Sequence, residues 1–324
     1  MRTLLFAAIV ALVSVPGFAQ ATSSTSAQLV QTPRTTAGEA TLATPAGHEV
    51  NAGISGYNYV EPGSLKISIH GAKLSGEYTG TVPLNLWRRW FVKANARASI
   101  GRASYDGWCA PWLITPDSRS PNGYLLDVGE YTPCDDAGNK DWYLEARGLI
   151  GRDFIFRSWA WSPEVGVGVR HLSNGISGIN GFRTDNYLYV PIGITARTHV
   201  GSRVLSFNVE SDLLVHGWQT TRHSLLGDGV VPATPTAPEF TIDGFSDVSF
   251  DQRGGWAVRA SARYPIYRRL LLEPYVLYWR VADSDVSVET ATFTVNGVPA
   301  REQLTFLEPM NTTREVGVKL GLRF

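Results

Sequence analysis

Two sets of side chains in this sequence have the types and spacing to do chemistry. In His171-Leu172-Ser173-Asn174 a histidine stands two residues before a serine, and on a strand that spacing puts both on one face. A serine hydroxyl attacks an acyl carbon well only when a base takes its proton, so His171 and Ser173 are candidate base and nucleophile of a serine hydrolase. Such a pair needs a third group to orient the imidazole. Asp185, across the following loop, is the best placed carboxylate. Asn174-Gly175 also makes a good turn by itself, because both residues accept positive φ, and that reading asks no chemistry of the motif. The second set is Glu210, Asp212 and His216, whose even offsets share a face of one strand and could hold an activated water. No Gly-rich phosphate loop, Walker pattern or GxSxG elbow is present, and no cofactor is expected. Cys109 and Cys134 are the only cysteines and fall in one loop rich in Pro, Gly and Asp. An even count in an exported chain predicts a disulfide. Without companion Cys or His at ligand spacing, a metal site is not expected.

The elements that must carry these groups are strands. From Glu49 onward the pattern has period two, in blocks separated by turn signals, as in membrane-spanning antiparallel strands. The last block, TREVGVKLGLRF, puts Val316, Val318, Leu320, Leu322 and Phe324 on one face and Glu315, Gly317, Lys319, Gly321 and Arg323 on the other. Charges alternating with aliphatic residues in one strand fit a wall between lipid and a polar lumen. Ten such blocks lie near 48–60, 65–80, 90–104, 141–152, 159–172, 186–197, 203–217, 252–264, 269–282 and 312–324. The predicted fold is all-β, a transmembrane antiparallel up-and-down β-barrel of about ten strands over residues 47–324. Short connections alternate with long ones at 106–140, 173–185, 218–251 and 283–311, which assigns the short turns to the periplasm and the long loops to the exterior.

The same alternation gives an inward register. It predicts a lumen ion-pair network of Glu77, Lys93, Arg97, Glu145, Arg147, Arg170, Glu210, Asp212, Arg259, Arg263, Glu315, Lys319 and Arg323, joined by Glu49, Lys73, Glu164, Arg197, His216 and Glu273. Buried charges must be paired, so neutralisation is the structural role these residues need no activity to explain. Aromatic residues near strand ends, namely Trp87, Trp90, Trp142, Trp159, Trp161, Tyr187, Trp218, Trp256, Tyr275, Tyr278 and Trp279, are predicted to form girdles at headgroup level. An open aqueous pore is disfavoured, since it takes sixteen to eighteen strands.

Residues 1–19 read as a signal peptide, with Arg2 ahead of an apolar run from Leu4 to Val15 and a Gly17-Phe18-Ala19 cleavage site. That run is too short to span a bilayer as a helix. Residues 20–46 are rich in Ser, Thr, Ala and Pro and are predicted to be a disordered periplasmic tail. Acidic and basic residues balance at 29 each, so no net field points to nucleic acid.

Several segments in order, SGYNYVEPG with HGAKLSGEY, DWYLEARGLIGRDF, SPEVGVGVRHLSNGISG with NYLYVPIG, RASARYPIYRRLLLEPYVLYWRVADSD and EPMNTTREVGVKLGLRF, resemble a widespread group of proteobacterial outer-membrane β-barrel proteins of unassigned function. That resemblance spans nearly the whole barrel and implies the fold and a bacterial outer-membrane location, but no reaction. The terminal Phe324 resembles the C-terminal assembly signal of such barrels, which implies the barrel-assembly machinery as a partner in biogenesis. The H-x-S-N tetrapeptide is similar to the motif of outer-membrane lipid A deacylases, which are smaller barrels. With Glu164 and Arg170 inward, His171 and Ser173 face lipid, where an acylated substrate would lie. A ten-stranded barrel is also similar to the omptin surface proteases, but their Asp and His stand two apart, whereas Asp212 and His216 are four apart and no acidic pair falls on an early strand. The expected function is a surface structural or binding scaffold with outer-membrane lipid and lipopolysaccharide as neighbours and an unidentified exterior ligand. The alternatives are a lipid A deacylase-like serine hydrolase and a narrow pore or transport protein.

Overall fold

The computed structural model describes residues 42–63, 66–84, 89–175, 182–225 and 229–324. Among them eighteen strands follow in order: β1 (Gly47–Glu61), β2 (Ile67–Pro83), β3 (Trp90–Cys109), β4 (Trp112–Pro116), β5 (Tyr124–Val128), β6 (Thr132–Arg152), β7 (Phe154–Phe156), β8 (Trp159–Gly175), β9 (Phe182–Val200), β10 (Arg203–Arg222), β11 (Gly229–Val231), β12 (Phe240–Phe245), β13 (Val248–Gln252), β14 (Gly255–Tyr267), β15 (Leu270–Val281), β16 (Ser287–Val295), β17 (Val298–Phe306) and β18 (Asn311–Arg323). Ten of them, β1, β2, β3, β6, β8, β9, β10, β14, β15 and β18, pair antiparallel in that order, and β18 pairs back onto β1 from Glu49↔Arg323 to Val60↔Thr312. Closure satisfies the backbone N–H and C=O groups that an open sheet edge would leave bare in hydrocarbon.

The faces are inverted relative to a water-soluble sheet. On β18 the buried side chains include Glu315 and Lys319, while Val316 is 62% and Leu320 50% exposed. An aliphatic exterior belongs against lipid, and charges belong inside where they can pair. The strands run further than the alternation indicates, β6 beginning at Thr132 and β10 ending at Arg222. Above the lipid level both faces of a strand meet water, so the two-residue hydrophobic period fades while the ladder continues.

Three predicted girdle residues lie inside instead. Tyr187, Tyr275 and Trp279 are buried in the lumen. Period two forbids neighbours on one face, so with Tyr278 outside, Trp279 must turn in, and Tyr275 shares the face of Trp279. Trp90, Trp142, Trp159, Trp161, Trp218, Trp256 and Tyr278 are at least partly accessible, and Trp87 lies outside the described residues.

The long connections are not plain loops. β11, β12, β16 and β17 form a four-stranded sheet, and β4 with β5 forms a hairpin. Ile114 and Leu126 of the hairpin pack with Phe240, Ile242, Ala291, Phe293, Val295 and Ala300 of the sheet in one apolar core, and Trp112 lies 5.1 Å from Phe245 between ring centroids. Together they make a folded cap at the end of the ring that carries the long connections. Cys109 and Cys134 are joined, with Cα atoms 5.7 Å apart and 25 residues of separation. This bond sits at the root of the β4–β5 hairpin, where β3 and β6 already pair around it through Gly107↔Cys134 and Cys109↔Thr132. Reduction is therefore expected to loosen the hairpin by about 3 kcal/mol in the chain-entropy model and to leave the ring closed. Faster proteolysis of residues 110–133 with unchanged heat-modifiable migration on gels checks this; loss of the folded band on reduction alone contradicts it.

Residues 1–41, which hold the predicted signal peptide and most of the predicted tail, lie outside the described residues. The chain from Leu42 to Ala46 packs into the mouth of the ring. Leu42 is buried, the Thr44 N–H and hydroxyl donate to the two Asp153 carboxylate oxygens at 2.7 Å each, and Arg197 Nη2 donates to Thr44 Oγ1 at 2.7 Å. Residues 42–46, the last of the predicted tail, thus contact the ring.

Candidate functional site

The lumen is a stack of paired charges, because every second residue of each strand points into it and a ten-stranded ring is narrow enough for side chains to meet across it. Nearest the mouth that holds Leu42–Ala46, Lys93 Nζ meets Glu164 Oε2 at 2.6 Å, Arg263 Nη2 meets Glu273 Oε2 at 2.5 Å, and Arg323 Nη2 meets Glu49 Oε2 at 2.9 Å. Lys319 bridges Glu77 at 2.7 Å and Glu273 at 3.1 Å. At mid-height Arg147 pairs with Glu210, while Arg259 donates to Asp212 Oδ2 at 2.7 Å and Glu145 Oε2 at 3.0 Å. Above them Arg97 Nη2 meets Glu315 Oε1 at 2.6 Å, and Glu315 also accepts from the hydroxyls of Tyr275 at 2.7 Å and Tyr143 at 3.1 Å. Lys73 pairs with Asp141 at 2.6 Å. Arg170 is held differently: its guanidinium lies 4.4 Å from the Tyr143 ring centroid and 5.4 Å from that of Trp279. Asp141 and Tyr143 are inward by the alternation through Glu145 and Arg147 on β6, and Tyr189 by that through Arg197 on β9, but none belongs to the predicted network.

This packing closes the lumen. Arg97, Tyr143, Tyr189 and Glu315 are all at least 95% buried. Below that layer a cavity of about 410 Å³ opens towards the mouth that holds Leu42–Ala46, lined by Thr44, Lys93, Arg147, Glu210, Arg263 and Lys319 among others. Above it a cavity of only about 10 Å³ lies between Tyr57, Arg170, Asp185 and Trp279, room for one water.

The rim on the cap side of the barrel holds a second cluster. Glu308, on the connection from β17 to β18, pairs with Arg183, accepts from Gln219 Nε2 at 2.9 Å and lies beside Tyr59, Glu61 and Asp185. Burial pushes its carboxyl up to about 7, with Glu61 and Asp185 adding to the rise and Arg183 opposing it. The folded state therefore holds this proton more tightly than the unfolded chain. Stability from the protonated form is full below about 4.5 and is lost as pH rises through about 7. Anchorage of the β16–β17 hairpin is expected to weaken by on the order of 2 kcal/mol between pH 5 and pH 8, and Glu308→Gln should flatten that dependence. Limited proteolysis across this pH range checks it; a wild-type cap more resistant at pH 8 than at pH 5 contradicts it. Sequence reading passed over Glu308 because it lies in a connection with no periodicity.

Two candidate chemical sites come apart. The Glu210, Asp212 and His216 set is broken by a register shift between Leu214 and His216. The extra residue of this bulge turns His216 to the outer face, where its ring stacks 5.5 Å from Trp218 and Nε2 lies 3.7 Å from Asp251 Oδ1. Glu210 and Asp212 stay inside as partners of Arg147 and Arg259. Asp185 does not orient His171: it is buried in the lumen beside Arg183, on the opposite face of the wall. The residue that meets His171 is its cross-strand partner Asn186, with Nδ1 to Oδ1 at 2.7 Å. The His171 ring also lies 5.2 Å from Trp142. His171 and Ser173 share the outer face as even-spaced neighbours on β8.

Fold and lumen define a class: an all-β protein built as a closed, ten-stranded antiparallel barrel with a charge-packed interior. No family model matches the chain, and no curated protein is similar to it. Among solved structures it is similar to the outer membrane protease OmpT from Escherichia coli, at 10% identity, 87% of this chain, 98% of that chain and a TM-score of 0.47. It is also similar to the translocator domain of the autotransporter NalP from Neisseria meningitidis, at 12% identity, covering 88% and 91% with a TM-score of 0.33. An outer membrane channel from Pseudomonas putida F1 is similar at 8% identity, covering 88% and 98% with a TM-score of 0.32.

Proposed function

We propose that this protein is an outer-membrane scaffold that presents a folded β-cap at the cell surface for binding. The observation that carries this reading is the cap itself, in which three chain connections pool their apolar residues into a core of their own above a lumen filled with ion pairs. A rigid ring that holds out ordered loops suits recognition, whereas a lumen blocked at Arg97, Tyr143 and Glu315 does not suit passage of solutes. The test is topological and electrical. An epitope inserted at the Asn296-Gly297 turn of the β16–β17 hairpin should be labelled on intact cells, and the purified protein should give no steady conductance in planar bilayers. Labelling only after lysis, or a stable single-channel current, overturns the reading.

A second reading is favoured by one contact. The hydrogen bond from His171 to Asn186 fixes the imidazole on the lipid-facing side with Ser173 two residues away, which suits a serine hydrolase acting on an acylated lipid. Release of fatty acid from lipid A by the wild type that disappears in both Ser173→Ala and His171→Ala would establish it, and the scaffold reading expects no release.

A further inference from the structure

The outer face of β3, β6 and β8 carries rows of aligned residues. Arg102 on β3 is directly opposite Lys140 on β6, and both are exposed. Like charges at opposed positions of a sheet repel one another, and neither makes an ion pair among the described residues. The nearest outward acid on β3, Asp106, faces His70 at 3.4 Å instead. One row nearer the membrane, Ile100 pairs with Trp142, and Trp142 with Ser173; the tryptophan there sits at the height of an interfacial girdle. The basic pair therefore stands where lipid headgroups begin.

Beneath it the lipid-facing wall is low. On β3 the outward residues are Ala98, Ala96 and Ala94; on β6 Ala146 and Gly148 stand opposite Ala96 and Ala94, while on β2 Tyr78, opposite Ala96 between Gly76 and Gly80, lies over Gly80 and walls the low strip on that side. A Cβ built on Gly76 or Gly148 would meet nothing within 4 Å, so packing does not demand glycine at either position. Large side chains stand at its upper border, with Leu74, Ile100 and Leu144 all about half exposed or more. The result is a shallow apolar trough on β3 and β6 below a border of large side chains, with two unpaired cations on the far side of that border.

We propose that Arg102 and Lys140 together bind the phosphate of an anionic lipid headgroup, whose acyl chain lies in the trough below. A bridging phosphate converts the repulsion across the strand pair into two charge-assisted contacts, and a flat trough lets a chain approach the wall more closely than a bulky face would. The inference rests on the barrel lying in a bilayer, which heat-modifiable migration and membrane fractionation check independently of binding.

The experiment uses the folded full chain in neutral detergent micelles, with bisphosphorylated lipid A as probe and native mass spectrometry as readout. Wild type should retain the lipid. Arg102→Ala with Lys140→Ala should weaken binding by roughly tenfold to a hundredfold, the loss of two charged contacts. Lipid A stripped of phosphate should bind the wild type as weakly as the intact lipid binds the double variant. Ala96→Leu, which fills the trough, should weaken binding of the intact lipid several-fold. All variants alter outward side chains, and the gentler pair Arg102→Gln with Lys140→Gln serves if the alanine variant does not fold. Equal binding by the charge variants, or by phosphate-free lipid, overturns the headgroup site; unchanged binding by Ala96→Leu overturns the acyl trough. Complete displacement by millimolar inorganic phosphate would mean a soluble phosphate ligand and overturns the lipid assignment.

Discussion

Glu315→Ala is expected to destabilise the barrel by about 3–5 kcal/mol, the usual cost of leaving a buried charge without its partner. Glu315 is 1% exposed and accepts from Arg97, Tyr275 and Tyr143. Its loss strands the Arg97 guanidinium, itself 5% exposed, in the layer that closes the lumen. Arg97→Ala should cost a comparable amount, since it leaves the carboxylate instead. Combining the two should cost less than the sum of the singles, because one change removes what the other would leave unpaired. Urea titration in lipid vesicles, followed by the heat-modifiable gel shift, measures all three. Single variants that each cost less than about 1 kcal/mol would place the pair in water and the lumen open at that level.

Phe293→Ala is expected to melt the cap while leaving the ring intact. Phe293 is fully buried in the core shared by the β4–β5 hairpin and the four-stranded sheet. Truncating a buried phenylalanine costs about 3–5 kcal/mol, and a core this small has little more than that to lose. Protease should then cut freely within residues 112–128, 229–245 and 287–306, whereas the ten barrel strands remain as a resistant, heat-modifiable core. Loss of the ring with the cap would show that the two fold as one cooperative unit.

The barrel was readable because lipid on one side and paired charges on the other impose a strict two-residue period, as between Glu315 and Phe324. Most inward charges follow from that period alone. It fails where the period itself is interrupted: the bulge between Leu214 and His216 adds one residue, and everything beyond it on β10 changes face. Nothing in LLVHGW announces that bulge. Tyr187, Tyr275 and Trp279 were misplaced because residue type was allowed to outweigh parity. Asp185 fell to the same rule, being one position from the face of His171's true partner Asn186. The cap had a signal that went unused. Asn296-Gly297 is a two-residue hairpin turn flanked by alternating residues, and both adopt positive φ. What single-sequence reading could not supply was that this hairpin and the one after Cys109, about 180 residues apart, would share a core.

The pairing of β1 with β18 makes assembly a matter of timing. Arg323 reaches Glu49 across 274 residues, and until β18 arrives both β1 and β15 offer bare edges. Contacts between such distant parts of a chain form slowly, because most of the loop entropy is lost before the contact returns anything. A nascent chain in transit thus has two complementary sticky edges and no means of uniting them until its last dozen residues are released. Any factor that shields those edges, or any surface that holds the first strand while the last is delivered, governs the yield of folded protein more than the stability of the finished ring does.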